Sequence, residues 1–241
     1  ARGVAEIALF EVGPAFHGPL PGEQTREAGV LRAGFSAPRD WSGARRNVDA
    51  FDAKADAVAA LGAMGVDTAK LAVAREAPAW FHPGRSGALK LGPKNTLAVF
   101  GELHPKVVEA MDLKGPAVAA VLFLEAAPMP KRKTATRPGL TASDLQAVER
   151  DFAFVVDARC EAESVLRAAR AADKKLIESA VVFDVFEGKR AVEQLGEGKK
   201  SLAIAVRLQP TAQTLTDKEI DAVAEKIVAA VAKATGGTLR T

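Results

Sequence analysis

The residue types that most often carry out chemistry are few in this sequence and stand far apart. The histidines are His17, His82 and His104, and the single cysteine is Cys160. No CxxC, HExxH or Cys/His cluster occurs, so nothing in the sequence supports a metal site. One cysteine cannot form an internal disulfide, which fits a reducing cytoplasm. Cys160 precedes a predicted helix and is expected to be inert.

Two histidine-containing strings need separate interpretations. His82-Pro83-Gly84-Arg85 is not a GxxxxGK[ST] phosphate loop, and no Gly-rich turn leads from it into a helix. We interpret it as a structural turn or a packing surface for a partner. His104-Pro105 is typical of a strand end followed by a helix that begins at proline. No motif places a Ser or Cys nucleophile beside either histidine, so no catalytic residue is predicted.

The net charge does not by itself indicate a nucleic-acid-binding protein. The 241 residues carry +3, and this charge is unevenly placed. Residues 1–143 hold 18 Lys+Arg against 14 Asp+Glu, whereas residues 144–241 hold 15 against 16. A strongly basic domain would be the usual footprint of a nucleic-acid protein.

Composition and the first residues limit the class of protein. Hydrophobic residues make up 48% of the sequence, as in ordinary globular domains. No apolar run approaches the 18 or so residues that span a bilayer, so no membrane partner is expected. Residues 1–6 have no signal-peptide pattern and do not begin with Met. We therefore expect a cytoplasmic fragment of a longer protein.

A change in composition divides the chain. Residues 126–143 contain three prolines and four basic residues, and they lack apolar periodicity, which is typical of a linker. The predicted organisation is a first domain at 1–127, a linker at 128–143 and a second domain at 144–241. The basic residues of the linker, any of which could touch RNA phosphates, are Lys131, Arg132, Lys133 and Arg137.

The second domain shows regular patterns. Strands are predicted at 150–157, 179–186, 199–208 and 238–240, and helices at 161–172 and from the capping box Thr216–Glu219 to Gly236. A turn or loop is predicted to begin at 187–190. The order βαββαβ predicts a ferredoxin-like fold, with both helices on one face of an antiparallel sheet and the other face open.

The first domain is predicted to be α+β, with an antiparallel sheet. Its probable strands lie at 5–12, 29–36, 70–75, 86–91, 96–101 and 117–125, with a long loop marked by Pro14, Pro19 and Pro21. A short helix is expected after Pro105. A longer helix at 50–64 is predicted to direct its apolar side chains toward the core, namely Phe51, Ala55, Val58, Ala59 and Leu61.

Several strings resemble one protein family. VERDFAFVV (148–156), KSLA (200–203) and TLTDKEI (214–220) occur in the order found in the anticodon-binding domain of bacterial phenylalanyl-tRNA synthetase β subunits. LFEVG (9–13), FDAK (51–54), HPGRSG (82–87) and FGELHP (100–105) resemble the inactive, class II synthetase-like core domain of the same subunits. The resemblance covers nearly the whole chain.

This resemblance implies a function for the chain as the C-terminal part of such a β subunit. The first domain would pack against the catalytic α subunit, and the second would bind the anticodon region of tRNA(Phe). The complete enzyme would be an (αβ)₂ heterotetramer that uses ATP and Mg²⁺ for aminoacylation.

The strings also imply that this chain does not bind ATP. A class II site needs one arginine for the α-phosphate of ATP and another, in a GxGxER motif, for the γ-phosphate. Residues 11–14 and 115–125, where these arginines would be expected, contain none. We expect no cofactor on this fragment.

The resemblance further implies that tRNA contacts the second domain through basic side chains. Arg150 would act at the sheet surface, and Arg207 should lie on the open face because it alternates with the core residues Leu202 and Ile204. Phe183 and Phe186 are expected mostly in the core, so we expect recognition of RNA shape and backbone more than base stacking. The remaining candidates surround the loop between the two central strands, and they are Lys189, Arg190, Lys199 and Lys200.

Two other functions stay open at this stage. Because residues 144–241 are nearly neutral, the second domain could be an interaction or regulatory module that does not bind RNA. The chain could also be an autonomous enzyme, which would show ATP–pyrophosphate exchange by itself. Each basic side chain could equally be an ordinary solvated residue.

Overall fold

The computed structural model describes residues 4, 6–41, 43, 45–129 and 143–240. These residues form two compact units, which lie on either side of the gap between residues 129 and 143. The predicted domain limits at 127 and 143 stay predictions. The basic residues of the predicted linker lie outside the described residues, and they are Lys131, Arg132, Lys133 and Arg137.

The first unit is built on an antiparallel sheet. Its elements are β1 (Ile7–Phe16), β2 (Gln24–Ala33), α1 (Ala50–Ala63), β3 (Ala72–Ala74), β4 (Phe81–Leu91), β5 (Asn95–Leu103), α2 (Pro105–Ala110) and β6 (Ala117–Phe123). The strands run in the order β1-β2-β6-β5-β4-β3, and each neighbouring pair is antiparallel. The predicted α+β class with an antiparallel sheet is confirmed.

The β1–β2 hairpin is longer than the sequence predicted. Pro14 does not begin a loop but pairs with Arg26 inside β1. Proline lacks an amide hydrogen, and it is tolerated here because β1 is an edge strand, where alternate amides face away from the neighbouring strand. The connecting turn occupies residues 17–23.

Helix α1 covers one face of this sheet. Asp49 and Asp52 form a capping box at its start. The helix contacts β2, β5 and β6, and its buried residues are Ala53, Ala57 and Leu61. Two of the three, Ala53 and Ala57, have the small side chains that allow a helix to lie close to a sheet. The prediction that Phe51, Ala55 and Ala59 face the core was wrong, since all three are exposed and Phe51 is 75% exposed.

The second unit is a four-stranded antiparallel sheet with helices on it. Its elements are β7 (Val148–Asp157), α3 (Ala162–Ala172), β8 (Ile177–Phe186), α4 (Lys189–Leu195), β9 (Lys199–Leu208), α5 (Asp217–Thr235) and β10 (Thr238–Leu239). The strand order is β10-β7-β9-β8. The two long helices, α3 and α5, contact each other, and they pack on the same apolar core. The predicted βαββαβ order is confirmed, with one short additional helix.

Alternation along β9 separates the two faces of this sheet. Leu202, Ile204, Val206 and Leu208 are all buried in the core under the helices, together with Phe152, Phe154 and Val156 of β7. Successive side chains of a strand point to opposite faces. We call the side that carries these buried residues the helix face and the opposite side the open face.

Three local predictions for this unit were wrong. Lys189 and Arg190 do not form a loop but begin α4, a short helix bounded by Gly188 and Gly196, both with positive φ. Strand β8 lies at the edge of the sheet and is not central. Phe183 is 58% exposed because the pairing of β8 with β9 is irregular between Val182 and Asp184, so the alternation breaks there.

Candidate nucleic-acid interface

Strand pairing divides the four predicted tRNA-contacting residues that lie on strands between two faces. Arg207 pairs with Glu149 on β7, so it lies on the open face as predicted. Lys199 has the same alternation as Arg207. Arg150 pairs with Val206, and Lys200 alternates with Leu202, so both belong to the helix face. The expectation that Arg150 shares one surface with Arg207 was therefore wrong. The tRNA-binding roles of these residues stay predictions.

Arg207 is bound on both sides by carboxylates. Its Nε donates to Glu178 Oε2 at 2.7 Å, and its Nη1 donates to Glu149 Oε1 at 3.2 Å. The hydrogen bond to Glu178, followed by that to Glu149, raises the pKa of Arg207 above its usual range. The guanidinium stays charged, but two negative charges are in direct contact with it. Its charge is therefore offset at short range by these two carboxylates.

The surroundings of Arg207 are acidic as well. Asp151 alternates with Glu149 along β7, and Asp184 pairs with Ala203 on β9, so both carboxylates belong to the open face. We call this region the open half, and it consists of Glu149, Asp151, Ala153, Glu178, Ser179, Val181, Asp184, Ala203, Ala205 and Arg207. Four carboxylates and one guanidinium give it a net negative charge, which disfavours a polyanion.

Helix α4 lies over the other end of the open face. It contacts β9, and its residue Ala191 is fully buried. Ala191 does not belong to the apolar core that α3 and α5 cover. Ser201 is buried too, although it points away from that core. These observations place α4 over Ser201 and Phe186, which pair across β9 and β8. We call this end of the open face, with Phe186, Ala191 and Ser201, the capped end.

Arg240 was not singled out by sequence reasoning, yet it lies on the open face at the border of the capped end. Its amide nitrogen donates to the Ala153 carbonyl oxygen at 2.7 Å. Its guanidinium stands 5.2 Å from the centre of the Phe186 ring and donates from Nη2 to Gln194 Oε1 at 3.2 Å. In the sequence, the alternation of the predicted strand at 238–240 was the signal that could have indicated on which face of the sheet Arg240 lies.

The histidines of the first unit have structural roles. His82 Nδ1 accepts the Gly84 amide at 3.1 Å, and Ser86 Oγ donates to the His82 carbonyl at 2.7 Å. His104 caps α2 by accepting the Lys106 amide at Nδ1. His17 bonds Thr25 beside the hairpin turn. Within the described ranges, no group of three or more His, Cys, Asp or Glu side chains could hold a metal ion.

Burial governs the chemistry of the cysteine. The Cys160 thiol is half-buried, and its desolvation raises its pKa above the usual value. A raised pKa lowers the thiolate fraction at neutral pH, so the geometry agrees with an unreactive thiol.

No helix in the described parts of the chain is both long and apolar enough to cross a membrane.

The hairpin of the first unit exposes an apolar surface. Leu9, Phe10, Val12 and Phe16 are each more than half exposed, and Phe10 reaches 81%. All four lie on β1, the edge strand, whose outer main-chain groups have no neighbouring strand among the described residues. Phe10, Val12 and Phe16 alternate along β1 and share one of its faces, and exposed apolar side chains grouped in this way mark interaction surfaces.

Comparison with known families identifies the class of each unit. A family model of the ferredoxin-fold anticodon binding domain matches residues 143–240, in agreement with the βαββαβ fold of the second unit. A family model of the phenylalanyl tRNA synthetase beta chain CLM domain matches residues 1–124. The chain belongs to the phenylalanyl tRNA synthetase beta chain family.

Curated relatives agree with this assignment. The chain is 61% identical over 240 residues to the phenylalanine–tRNA ligase beta subunit of Cereibacter sphaeroides, covering 100% of this chain and 30% of that protein. It is 59% identical to the beta subunit of Ruegeria pomeroyi and 54% identical to that of Rhodospirillum rubrum, covering 29% and 30% of those proteins. The chain thus spans about 30% of the length of these relatives.

Proposed function

We propose that this chain forms part of the β subunit of a phenylalanine–tRNA ligase and that its second unit binds the anticodon region of tRNA(Phe). The observation that carries the proposal is the match of the anticodon-binding family model to residues 143–240, on a unit with the βαββαβ fold. The complete enzyme would act in the cytoplasm as an (αβ)₂ heterotetramer.

The first unit would be a structural partner of the catalytic α subunit. Its exposed apolar strand β1 supports this role, because interfaces of permanent complexes are rich in apolar and aromatic side chains. Co-purification of the α subunit with the complete β subunit is the measurement for this part of the proposal.

We assign ATP and Mg²⁺ to the complete enzyme and not to this part of it. Three arginines of the first unit are bound to carboxylates. Arg32 contacts Asp56, Arg46 contacts Asp52, and Arg85 contacts Glu102 at 2.6 Å. These ion pairs offset the charge of the three arginines, which supports this assignment, and no catalytic residue is proposed.

Removal of the second unit tests the proposal. We expect the complete ligase lacking residues 143–240 to bind tRNA(Phe) on the order of 10-fold or more weakly, because it loses several phosphate contacts. Phenylalanine-dependent ATP–pyrophosphate exchange needs no tRNA and should continue. Both activities can be measured on one preparation.

The two alternatives make different predictions for that experiment. If the second unit were a regulatory module that does not bind RNA, its removal would leave tRNA affinity unchanged. If this chain were an autonomous enzyme, it would catalyse ATP–pyrophosphate exchange without the α subunit. The acidic open half is the observation that favours the first alternative.

A further inference from the structure

Two arginines of the open face have opposite electrostatic environments. Arg207 contacts Glu149 and Glu178, so its charge is offset by two carboxylates. Among the described residues, the partners of the Arg240 guanidinium are the neutral Gln194 amide oxygen and the Phe186 ring. Arg240 therefore keeps its charge available to a ligand.

Arg240 is also held in a defined position. Its main-chain amide is tied to β7 through Ala153, and its guanidinium is fixed by Gln194 at one side and lies near the face of Phe186. A guanidinium carries five N–H donors, and the described contacts use one of them. A planar, positioned guanidinium with free donors is well suited to a phosphate, because little conformational entropy is lost on binding.

The charged residues near Arg240 include both cations and carboxylates. Lys189 and Arg190 begin the helix that supplies Gln194, and Lys199 lies at the same end of β9. Glu193 on the same helix and Asp157, which pairs with Lys199, balance part of this positive charge. Because the region is not generally basic, binding of a polyanion there depends on individual cations that are free of carboxylates.

We propose that Arg240 binds the RNA phosphodiester backbone and that Gln194 and Phe186 position it for this contact. The proposal rests on the proposed tRNA-binding function of the second unit. It moves the main contact on the open face away from Arg207 and the open half to the border of the capped end. Arg207 instead holds β7, β9 and β8 together through its two carboxylate partners.

Three variants of the complete ligase test this assignment. Arg240→Gln removes the charge. Gln194→Glu keeps Arg240 but gives it a carboxylate partner, as Glu178 does for Arg207. Arg207→Gln is the matched control. Dissociation constants for a tRNA(Phe) transcript are measured from low to high salt, with thermal melts to confirm that each variant is folded.

We expect Arg240→Gln and Gln194→Glu each to weaken binding about tenfold at low salt. The slope of log Kd against log salt should fall by about 0.7–0.9, which corresponds to one lost phosphate contact. Arg207→Gln should bind within about twofold of wild type, with an unchanged slope. Arg240→Lys should recover most of the slope, because it keeps the charge.

The opposite pattern would overturn the assignment. Arg240 would not contact the backbone if Gln194→Glu and Arg240→Gln both kept the wild-type affinity and the wild-type slope of log Kd against log salt. The same conclusion would follow if that slope fell in Arg207→Gln alone. Gln194→Glu decides the matter even where Arg240→Gln fails to fold. Failure of the proposed function is recognised separately, because removal of residues 143–240 would then leave tRNA affinity unchanged.

Discussion

Replacing Phe154 by alanine should lower the free energy of unfolding of the second unit by about 3–5 kcal/mol. Phe154 is fully buried in the core between the sheet and the helices, and its ring stacks on Phe152 with centroids 6.1 Å apart. Truncation would remove apolar contacts and leave a cavity that the packed helices can only partly fill. Domains are typically stable by about 5–15 kcal/mol, so the loss is a large share of the total.

Urea denaturation, monitored by hydrogen exchange of peptides from the second unit, would measure this change in the free energy of unfolding. Phe183→Ala is the matched control, because it removes the same side chain from the same sheet at a position that is 58% exposed. The control should change stability by less than about 1 kcal/mol. Equal losses in the two variants would contradict the assigned core.

Replacing Gly101 by alanine should destabilise the first unit by about 2–5 kcal/mol through overpacking and backbone strain. A Cβ atom at this position would lie 2.4 Å from Ser86 Cβ, 2.6 Å from Ser86 Cα and 2.7 Å from the Arg85 carbonyl oxygen. Two of these three atoms belong to the backbone, so no side-chain rotation relieves the clash. Gly101 also has a φ of 156°, a backbone angle that residues with a side chain rarely adopt.

The close approach arises where β4 loses register with β5. Phe81 pairs with Leu103 and Ser86 pairs with Gly101, so the intervening residues of β4 bulge out. Trp80 belongs to the first unit and packs on the buried Phe81, with ring centroids 3.9 Å apart, so its fluorescence reports the unfolding of this unit. Gly13→Ala is the control, since a Cβ there meets nothing within 4 Å. A Gly101→Ala variant as stable as the Gly13→Ala variant would contradict the described pairing.

Local pattern was enough to predict the fold of the second unit. The alternation of β9 placed Leu202, Ile204, Val206 and Leu208 in one core, and all four are buried. The capping box at Thr216 and Glu219 marked the start of α5, and Gly236 marks its end with a left-handed conformation. These signals are local in sequence, so they do not depend on how the strands are ordered.

The arrangement of the cations depended on information that is not local. The charge of Arg207 is offset by Glu149 and Glu178, which are 58 and 29 residues away in sequence. Their proximity follows from strand order and register, which alternation alone does not specify. Arg240 has the same dependence, since Gln194 is 46 residues away. The face of Arg150, in contrast, could have been predicted, because Arg150 alternates with the buried Phe152.

Helix α4 was missed because its seven residues are too few for a clear helical period. The two glycines that bound it are equally typical of a loop. Its effect on the interface is nevertheless large, because it covers one end of a face that the βαββαβ pattern predicts to be open. The candidate site therefore differs more from the sequence-based prediction than the fold does.

Nuclease footprinting of tRNA(Phe) on the complete ligase tests the central claim most directly. We predict that the anticodon stem and loop are protected by the intact ligase and become cleavable when residues 143–240 are removed, while protection of the acceptor stem is retained. Undiminished protection of the anticodon loop without these residues would contradict the claim that the second unit holds this part of the tRNA.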